Sequence, residues 1–286
     1  MNLSSIKTVS VTGLAGGPAR DDAVAVEEPL EIRVGGRGVA VTMRTPGHDR
    51  ELAAGFLLTE GVVRAAAELL DIYACRNLPQ GQEGNVVEAV LSASARERFD
   101  PARLTRHVFT ASSCGLCGKA TIDALTCVLP PLPAAGVVGE AGRFSAAGLG
   151  AWPERLRAAQ PGFEVTGGLH AAARFSSSGE LVAVREDVGR HNALDKLLGA
   201  ALWAGETPLA NAGVLVSGRL SFELVQKCWA AGVPLLAGIG APSSLAVAMA
   251  QAAGMTLVGF LRADRANVYA GAERLGWAAG LTNTCP

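Results

Sequence analysis

The stretch VPLLAGIGAPSSLAVAMAQAAGMTLVGFLR, residues 233–262, contains three apolar pieces, two short ones and a longer one between them. Val233–Ile239 and Met255–Leu261 have the length of buried strands, whereas Leu245–Ala253 has the length of a helix. A strand, a helix and a second strand in this order are typical of a parallel βαβ unit. Two prolines, Pro234 and Pro242, and the polar residues Ser243, Ser244 and Gln251 interrupt the apolar run. We therefore assign it to a protein core and not to a membrane span.

A similar unit lies just upstream. Val214–Val216 is a short apolar strand that leads through Ser217-Gly218-Arg219 into a predicted helix over Ser221–Ala230. With the two strands of the first unit, this makes at least three neighbouring parallel strands. The second part of the chain is therefore predicted to be an α/β domain.

A hairpin and a helix precede these units. His170–Phe175 and Leu181–Arg185 flank the turn Ser176–Gly179, which predicts two antiparallel strands. Asp187 is placed to cap a helix that runs through His191 to Trp203.

The first third of the chain predicts a small α+β subdomain. Residues from Glu31 to Arg44 alternate apolar and polar around a glycine-rich turn, which is the pattern of a hairpin. Asp49 can cap a helix that extends to Leu58, and further strands are expected at Val86–Leu91 and Arg106–Thr110.

We place the domain boundary between residues 110 and 111. Residues 1–110 form the α+β subdomain, and residues 111–286 form the α/β domain. The proline-rich stretch Pro130–Gly136 is the clearest break in the chain, although it is also compatible with a long loop.

Composition excludes several classes of protein. The 286 residues are 49 % hydrophobic, which is enough for a full core and argues against disorder. The net charge of −1 provides no field that would attract nucleic acid or anionic lipid, and aromatic residues make up only 5 %. Met1–Arg20 does not resemble a signal peptide, so we expect a cytoplasmic location and neither a nucleic-acid nor a membrane partner.

A CxxC pair is the strongest chemical signal. Cys114 and Cys117 lie on a glycine-bracketed loop just before a predicted helix over Thr121–Leu125. The helix N-terminus and the Lys119 ammonium would both lower a thiol pKa and so favour the reactive thiolate. In a reducing compartment this pattern indicates redox, metal or sulfur chemistry.

Two alternatives to a nucleophile remain open for this pair. His107, Cys114, Cys117 and Cys127 could supply four zinc ligands, but their spacing is irregular and no second CxxC or HxxxH is present. A thioredoxin-like redox pair usually follows a buried strand near the chain start, whereas this one lies more than a hundred residues in. We therefore expect no metal of the protein's own.

The other cysteines lack motif spacing. We expect Cys75, Cys127 and Cys228 to be buried free thiols, and Cys285 to belong to the C-terminal tail.

A histidine and two carboxylates repeat at intervals of four residues. On a helix that begins at Asp187, the side chains of Asp187, His191 and Asp195 would share one face. Such a face could orient the imidazole for binding or proton transfer. A capping box with a hydrogen-bonded histidine explains the spacing equally well.

Arginine-bearing loops follow the predicted parallel strands. Arg219 follows the first strand, and Arg262 and Arg265 follow the last. Open α/β sheets bind ligands at the carboxyl ends of their strands, and arginines and helix N-termini at that edge would suit phosphates. GxGxxG and GxxxxGK[ST] motifs are absent there, which argues against a standard Rossmann or P-loop site; each arginine could also be ordinary surface charge.

Seven short motifs, in order over about residues 25 to 270, together resemble the formate dehydrogenase accessory sulfurtransferase family (FdhD). They are Thr45–Asp49, Glu51–Leu57, Ser113–Lys119, Thr166–His170, Glu186–Asn192, Ser217–Arg219 and Ala241–Ser244.

The resemblance implies a sulfur carrier. Such a protein accepts sulfane sulfur from a cysteine desulfurase and delivers it to the molybdenum cofactor, bis-molybdopterin guanine dinucleotide. It binds this cofactor as a substrate, before the cofactor is inserted into formate dehydrogenase. It implies a cytidine-deaminase-like α/β domain and a homodimer. Carried onto this chain, Cys114 would bear the persulfide with Cys117 as its partner. The cofactor would contact the segment Phe260, Leu261, Arg262, Ala263, Asp264 and Arg265.

Two rival functions can be compared with this one. A zinc deaminase needs H-x-E and P-C-x-x-C, but Ser113 replaces the proline and none of the four histidines begins an H-x-E. A non-catalytic chaperone that only holds the molybdenum cofactor for the apo-dehydrogenase remains an alternative.

Overall fold

The computed structural model describes residues 5–76, 78–101, 129–134 and 143–276. Strands β1 (Ile6–Val11) and β2 (Arg20–Ala25) pair as an antiparallel hairpin of their own. Strands β3 (Glu28–Val34), β4 (Arg37–Arg44), β5 (Leu69–Ala74) and β6 (Val86–Leu91) form a four-stranded sheet in the order β4-β3-β6-β5. The predicted first hairpin and the strand Val86–Leu91 are thereby confirmed, whereas Arg106–Thr110 lies outside the described residues.

The β3–β4 turn follows directly from its two glycines. Gly35 and Gly36 have φ values of 61° and 76°, which side chains with a Cβ rarely adopt. On β3 the side chains of Leu30, Ile32 and Val34 alternate into the core. This alternation is what made the hairpin predictable.

The first helix, α1, spans Asp49–Thr59. Our prediction that Asp49 caps it is wrong, because His48 occupies the N-cap position and makes no side-chain cap bond. The Asp49 carboxylate instead accepts a hydrogen bond at 2.9 Å from Nε of Arg44, at the end of β4. A short helix, α2 (Ala93–Arg98), follows β6.

Six strands form the larger sheet, in the order β13-β12-β11-β10-β8-β9. They are β8 (His170–Ser176), β9 (Leu181–Asp187), β10 (Ala212–Val216), β11 (Leu235–Gly238), β12 (Thr256–Gly259) and β13 (Asn267–Ala270). Strands β10, β11 and β12 are parallel neighbours, as predicted, and the other pairings are antiparallel. The predicted α/β class is confirmed.

Helices connect and cover this sheet. The long ones are α6 (Arg190–Trp203), α7 (Phe222–Ala230) and α8 (Ser244–Ala253), and the short ones ahead of β8 are α3 (Ala146–Leu149), α4 (Trp152–Ala158) and α5 (Pro161–Thr166). A small pairing joins β7 (Phe144–Ser145) to β14 (Leu275–Gly276). Asp187 does not cap α6 as predicted, because it is the last residue of β9 and Gly189 is the N-cap.

Two glycines bring α1 and α6 into close contact. A Cβ on Gly55 would lie 1.9 Å from the carbonyl oxygen of Asp195, and one on Gly199 would lie 1.8 Å from that of Glu51. One hydrophobic cluster includes residues of both helices and of both large sheets. The predicted domain boundary at residue 110 stays a prediction.

Within the described ranges, none of the helices is both long and apolar enough to cross a membrane. Residues 233–262 instead form β11, α8 and β12, with the strands fully buried.

Candidate functional site at the carboxyl edge of the sheet

Three loops meet at the carboxyl ends of β10, β11 and β12. The backbone N–H of Gly240 donates to the Gly218 carbonyl at 3.0 Å, and that of Phe260 donates to the Gly240 carbonyl at 3.1 Å. These bonds tie each loop to its neighbour, as expected for parallel strands that end at one edge.

The backbone donors of the Ser243 loop are partly used in this arrangement. The Ser243 N–H donates to the Leu220 carbonyl at 3.0 Å, and the Ser243 hydroxyl accepts from the Ala246 N–H at 3.2 Å. The N–H of Ser243 is therefore not free to donate to a phosphate.

The segment Phe260–Arg265 forms the outermost of the three loops. Phe260 has a φ of 53° and is 42 % exposed, whereas Leu261 is buried. The Arg262 guanidinium donates from Nη1 to the carbonyls of Ile239 and Leu261, both at 2.8 Å. Arg262 thus holds the loop against the end of β11, while Arg265 is exposed at the surface.

A cavity of about 440 Å³ is lined in part by Ile239, whose carbonyl Arg262 contacts. This volume falls in the range that small-molecule ligands occupy. Its wall is mainly apolar with a few polar groups, and consists of Pro153, Leu156, Arg157, Gln160, Phe163, Gly167, Gly168, Leu169, His170, Val188, Ser217 and Ile239.

His170 and Ser217 are two of the polar residues that line this cavity. The Ser217 hydroxyl accepts from the Ala171 N–H at 2.9 Å and lies 3.5 Å from Nδ1 of His170. Burial lowers the pKa of His170, and electrostatic interaction with Arg190 and His191 lowers it further. The imidazole is therefore neutral at pH 7.

Glu186 fixes the cavity wall that α5 supplies. Its two carboxylate oxygens accept from the N–H groups of Gly162 and Phe163, at 2.9 and 2.8 Å. These are free donors of the first turn of α5, so the carboxylate anchors the helix to β9. The Arg157 guanidinium covers the Phe163 ring at 4.4 Å from its centroid.

The predicted face of Asp187, His191 and Asp195 is not formed as a set of three, because only His191 and Asp195 lie on α6, where both pair with side chains of α7. Asp187 lies on β9 and forms a buried ion pair with Lys196, and Asp195 forms one with Lys227. Nε2 of His191 lies 3.0 Å from the Glu223 carboxylate. The four-residue spacing was misleading because the helix begins three residues later than predicted.

The CxxC pair, Cys114 and Cys117, lies outside the described residues, as do the alternative zinc ligands His107 and Cys127, the predicted helix Thr121–Leu125, and Cys285. Of the cysteines that the structure does describe, Cys228 is buried and free, as predicted. Cys75 is free but only half-buried, which corrects the prediction that it is buried. In the described ranges, no cluster of three His, Cys, Asp or Glu side chains could hold a metal ion.

The sequence analysis assigned no role to Arg157, Gln160 or Phe163, which line the cavity. They come from α4 and the start of α5, two short helices without a recognisable pattern. The only signal nearby was the motif Thr166–His170, which contains the cavity residues Gly167, Gly168 and His170.

Comparisons with known proteins agree over nearly the whole chain. A family model described as "FdhD/NarQ family" matches residues 25–276. A "Sulfur carrier protein FdhD" from Mycolicibacterium paratuberculosis is 50 % identical over 273 residues, covering 93 % of this chain and 97 % of the relative. One of the same name from Anaeromyxobacter dehalogenans is 49 % identical over 274 residues, covering 93 % of this chain and 92 % of the relative.

A solved structure shares the fold. The crystal structure of a protein from Desulfotalea psychrophila, described as a formate dehydrogenase accessory protein, superposes with a TM-score of 0.72. The two chains are 27 % identical, and the match covers 96 % of this chain and all of the other.

Proposed function

The chain belongs to the FdhD/NarQ family, and from this we propose that it is a sulfur carrier required for the activity of a formate dehydrogenase. The observation that carries the proposal is the identity of about 50 % with proteins named as sulfur carriers, over more than nine-tenths of the chain. The alignment spans the full arrangement of both sheets, so the likeness is not confined to one motif.

Cys114 is the residue that we propose to accept the sulfur. Its thiolate attacks the outer sulfur of a persulfide on a cysteine desulfurase. The new S–S bond forms on Cys114, the S–S bond of the donor breaks, and its electron pair leaves on the thiolate of the desulfurase.

Cys117 provides a route for release. Its thiolate can attack the inner sulfur of the Cys114 persulfide, which forms a Cys114–Cys117 disulfide and expels the outer sulfur as hydrosulfide. A thiol reductant then restores both cysteines. This step explains why a second thiol three residues away would be useful.

The acceptor of the sulfur is, in our proposal, the molybdenum cofactor bis-molybdopterin guanine dinucleotide, bound as substrate at the carboxyl edge of the larger sheet. Phe260, Leu261, Arg262, Ala263, Asp264 and Arg265 would contact it. Arg265 is exposed there, and Arg262 holds the same loop in place by its hydrogen bond to the Ile239 carbonyl. The positive charge of Arg265 is therefore available to a phosphate at a fixed position. We further propose that the protein works in the cytoplasm as a homodimer.

Genetic complementation tests the function. In a strain that lacks this gene, the wild-type chain should restore formate dehydrogenase activity, and Cys114→Ala should not. Cys75→Ala, which removes a free thiol elsewhere, is the control and should restore activity. Full activity with the double variant Cys114→Ala/Cys117→Ala would favour a chaperone that only holds the cofactor and would contradict the sulfur carrier.

A further inference from the structure

His170 differs from the other two described histidines in what its ring contacts. Nδ1 of His48 lies 3.1 Å from the Glu51 carboxylate, and Nε2 of His191 lies 3.0 Å from the Glu223 carboxylate. In the described part of the chain, His170 forms no ion pair with a carboxylate. Because a carboxylate partner favours the charged imidazolium, His170 is the histidine that can gain and lose a proton without breaking such a pair.

The surroundings of His170 favour its neutral form. Burial lowers its pKa most, Arg190 and His191 on α6 lower it further, and Asp187 on β9 acts in the opposite direction. Arg157 of α4 is a charged residue in the wall of the same cavity. One nitrogen of a neutral imidazole is free to take up a proton, so His170 can act as a base near pH 7 and then return the proton.

The His170 ring is accessible from the cavity. The residue is only half-buried and forms part of the cavity wall. A Cβ on Gly218 would lie 3.6 Å from Nδ1, so a side chain at this position would begin in contact with the ring, and glycine leaves that space open. The Ser217 hydroxyl lies 3.5 Å from Nδ1, which is at the limit of a hydrogen bond. A group that enters the cavity can therefore contact the imidazole.

Release of sulfur from a persulfide requires one proton to move. When Cys117 attacks the inner sulfur of the Cys114 persulfide, its thiol loses a proton, and the departing outer sulfur must gain one to leave as hydrosulfide and not as a dianion. A charge that builds up on sulfur is costly beside a mainly apolar wall, so the proton has to move as the bonds change. The proposed function places this release at the carboxyl edge of the larger sheet, where the acceptor is bound.

We propose that His170 is a catalytic residue that transfers this proton during sulfur release. Its neutral imidazole takes the proton of the Cys117 thiol, and the resulting thiolate attacks the inner sulfur of the Cys114 persulfide. The S–S bond of the persulfide breaks, its electron pair leaves on the outer sulfur, and the imidazolium returns the proton to that sulfur. The products are the Cys114–Cys117 disulfide, hydrosulfide and the neutral imidazole. The inference rests on the proposed function, which supplies the persulfide.

Single-turnover release of hydrosulfide from the full chain tests the inference. The chain is loaded with a cysteine desulfurase and cysteine, freed from both, and its release of hydrosulfide without added thiol is followed as a function of pH. The wild-type rate should rise with pH up to the His170 pKa, which lies below 6.5, and then level off, because the imidazole is then fully neutral. In His170→Gln the rate at pH 7 should be about a hundredfold lower and should keep rising toward the pKa of the Cys117 thiol.

Imidazole added to His170→Ala should restore part of the rate, which it would not do if His170 were only structural. His48→Asn is the matched control: it removes an exposed imidazole at a φ of 59°, which asparagine tolerates, and should release sulfur as the wild type does. Cys117→Ala should release none. Thermal unfolding of each variant ensures that folded proteins are compared.

Three results would overturn the inference. The first is a wild-type rate that keeps rising up to the pKa of the thiol, which needs no variant to be measured. The second is a wild-type profile in His170→Gln, and the third is the absence of rescue by imidazole in His170→Ala.

The reverse reaction separates this inference from the proposed function. Hydrosulfide added to the Cys114–Cys117 disulfide form regenerates the persulfide without a desulfurase, and the same proton is transferred in the opposite direction. If the desulfurase does not load the wild type while His170→Gln slows this reverse reaction about a hundredfold, the sulfur carrier is wrong and the role of His170 stands. If the wild type loads normally while His170→Gln releases sulfur as fast as the wild type, the role of His170 is wrong and the sulfur carrier stands.

Discussion

The Lys196 ammonium lies 2.7 Å from the Asp187 carboxylate, and neither side chain is more than 1 % exposed. The same carboxylate accepts from the N–H groups of Thr45 and Gly189, and Nζ of Lys196 also donates to the Thr45 carbonyl at 2.8 Å. The pair thus joins the end of β4 to the end of β9, one residue from Val188 in the cavity wall.

Breaking this pair should destabilise the protein strongly. Lys196→Met leaves a buried carboxylate without its counter-charge, and we expect the free energy of unfolding in urea to fall by about 3–5 kcal/mol. Asp71→Asn breaks an exposed ion pair with Arg50 and should cost less than about 1 kcal/mol. If Lys196→Met and Asp71→Asn lost similar amounts of unfolding free energy, the buried pair of Asp187 and Lys196 would contribute no more to stability than an exposed pair.

The contact between α1 and α6 should not tolerate a methyl group. Gly55→Ala and Gly199→Ala each place a Cβ less than 2 Å from a backbone carbonyl oxygen. Because backbone cannot move aside as a side chain can, we expect each to lower the free energy of unfolding by about 3 kcal/mol, the upper end of the usual cost of overpacking. Gly148→Ala, whose Cβ would lie 3.4 Å from a serine side chain, should be nearly neutral. Wild-type stability of Gly55→Ala would contradict the close packing.

Much of this fold was predictable from local patterns. The β3–β4 hairpin followed from alternation around Gly35 and Gly36, and the β11-α8-β12 unit from the lengths of its apolar pieces. Helix starts were less predictable. Asp49 pairs with Arg44 on β4, and Asp187 pairs with Lys196 on α6. A side chain that forms such an ion pair does not cap the helix, and a single sequence does not show which ion pairs will form.

The candidate site was predictable only in part. The meeting of three loops at one sheet edge follows from parallel strands, whatever their side chains. The cavity could not be predicted in this way. Gln160 and Phe163 lie at the start of a short helix, and that helix is held in place by hydrogen bonds to Glu186 on β9.

Acid should weaken the link between α1 and β9. Burial acts to raise the pKa of Glu51, but hydrogen bonds from Arg185 and His48 outweigh it and lower the pKa from 4.5 to about 2. A lowered carboxyl pKa stabilises the folded state above pH 4.5, and that contribution is lost as the pH falls toward 2. This contribution is at most about 3 kcal/mol, and it is smaller to the extent that water screens the half-buried carboxylate.

Urea unfolding at pH 6 and at pH 3 measures this contribution. The stability of Glu51→Gln should fall less between the two pH values than that of the wild type. The exposed control Glu97→Gln should follow the wild type. Identical pH dependence of wild type and Glu51→Gln would show that Glu51 is not the titrating group.

The loop Phe260–Arg265 should contribute to nucleotide affinity. Loss of one charge-assisted hydrogen bond costs about 1.5–3 kcal/mol, so Arg262→Ala and Arg265→Ala should each weaken GDP binding by roughly ten- to a hundredfold. Arg37→Ala, at the exposed tip of β4, is the matched control. Unchanged GDP affinity in both loop variants would remove this segment from the proposed cofactor site.

The central claim is that Cys114 carries the sulfur, and intact mass measured after incubation with a cysteine desulfurase and cysteine tests it most directly. We predict a gain of one sulfur on the wild type and none on Cys114→Ala. Burial raises the pKa of the Cys228 thiol, so Cys228→Ala should load as the wild type does. Loading that persists at full level in Cys114→Ala but is lost in Cys117→Ala would reverse the two roles. Normal loading in both single variants would contradict the sulfur-carrier account.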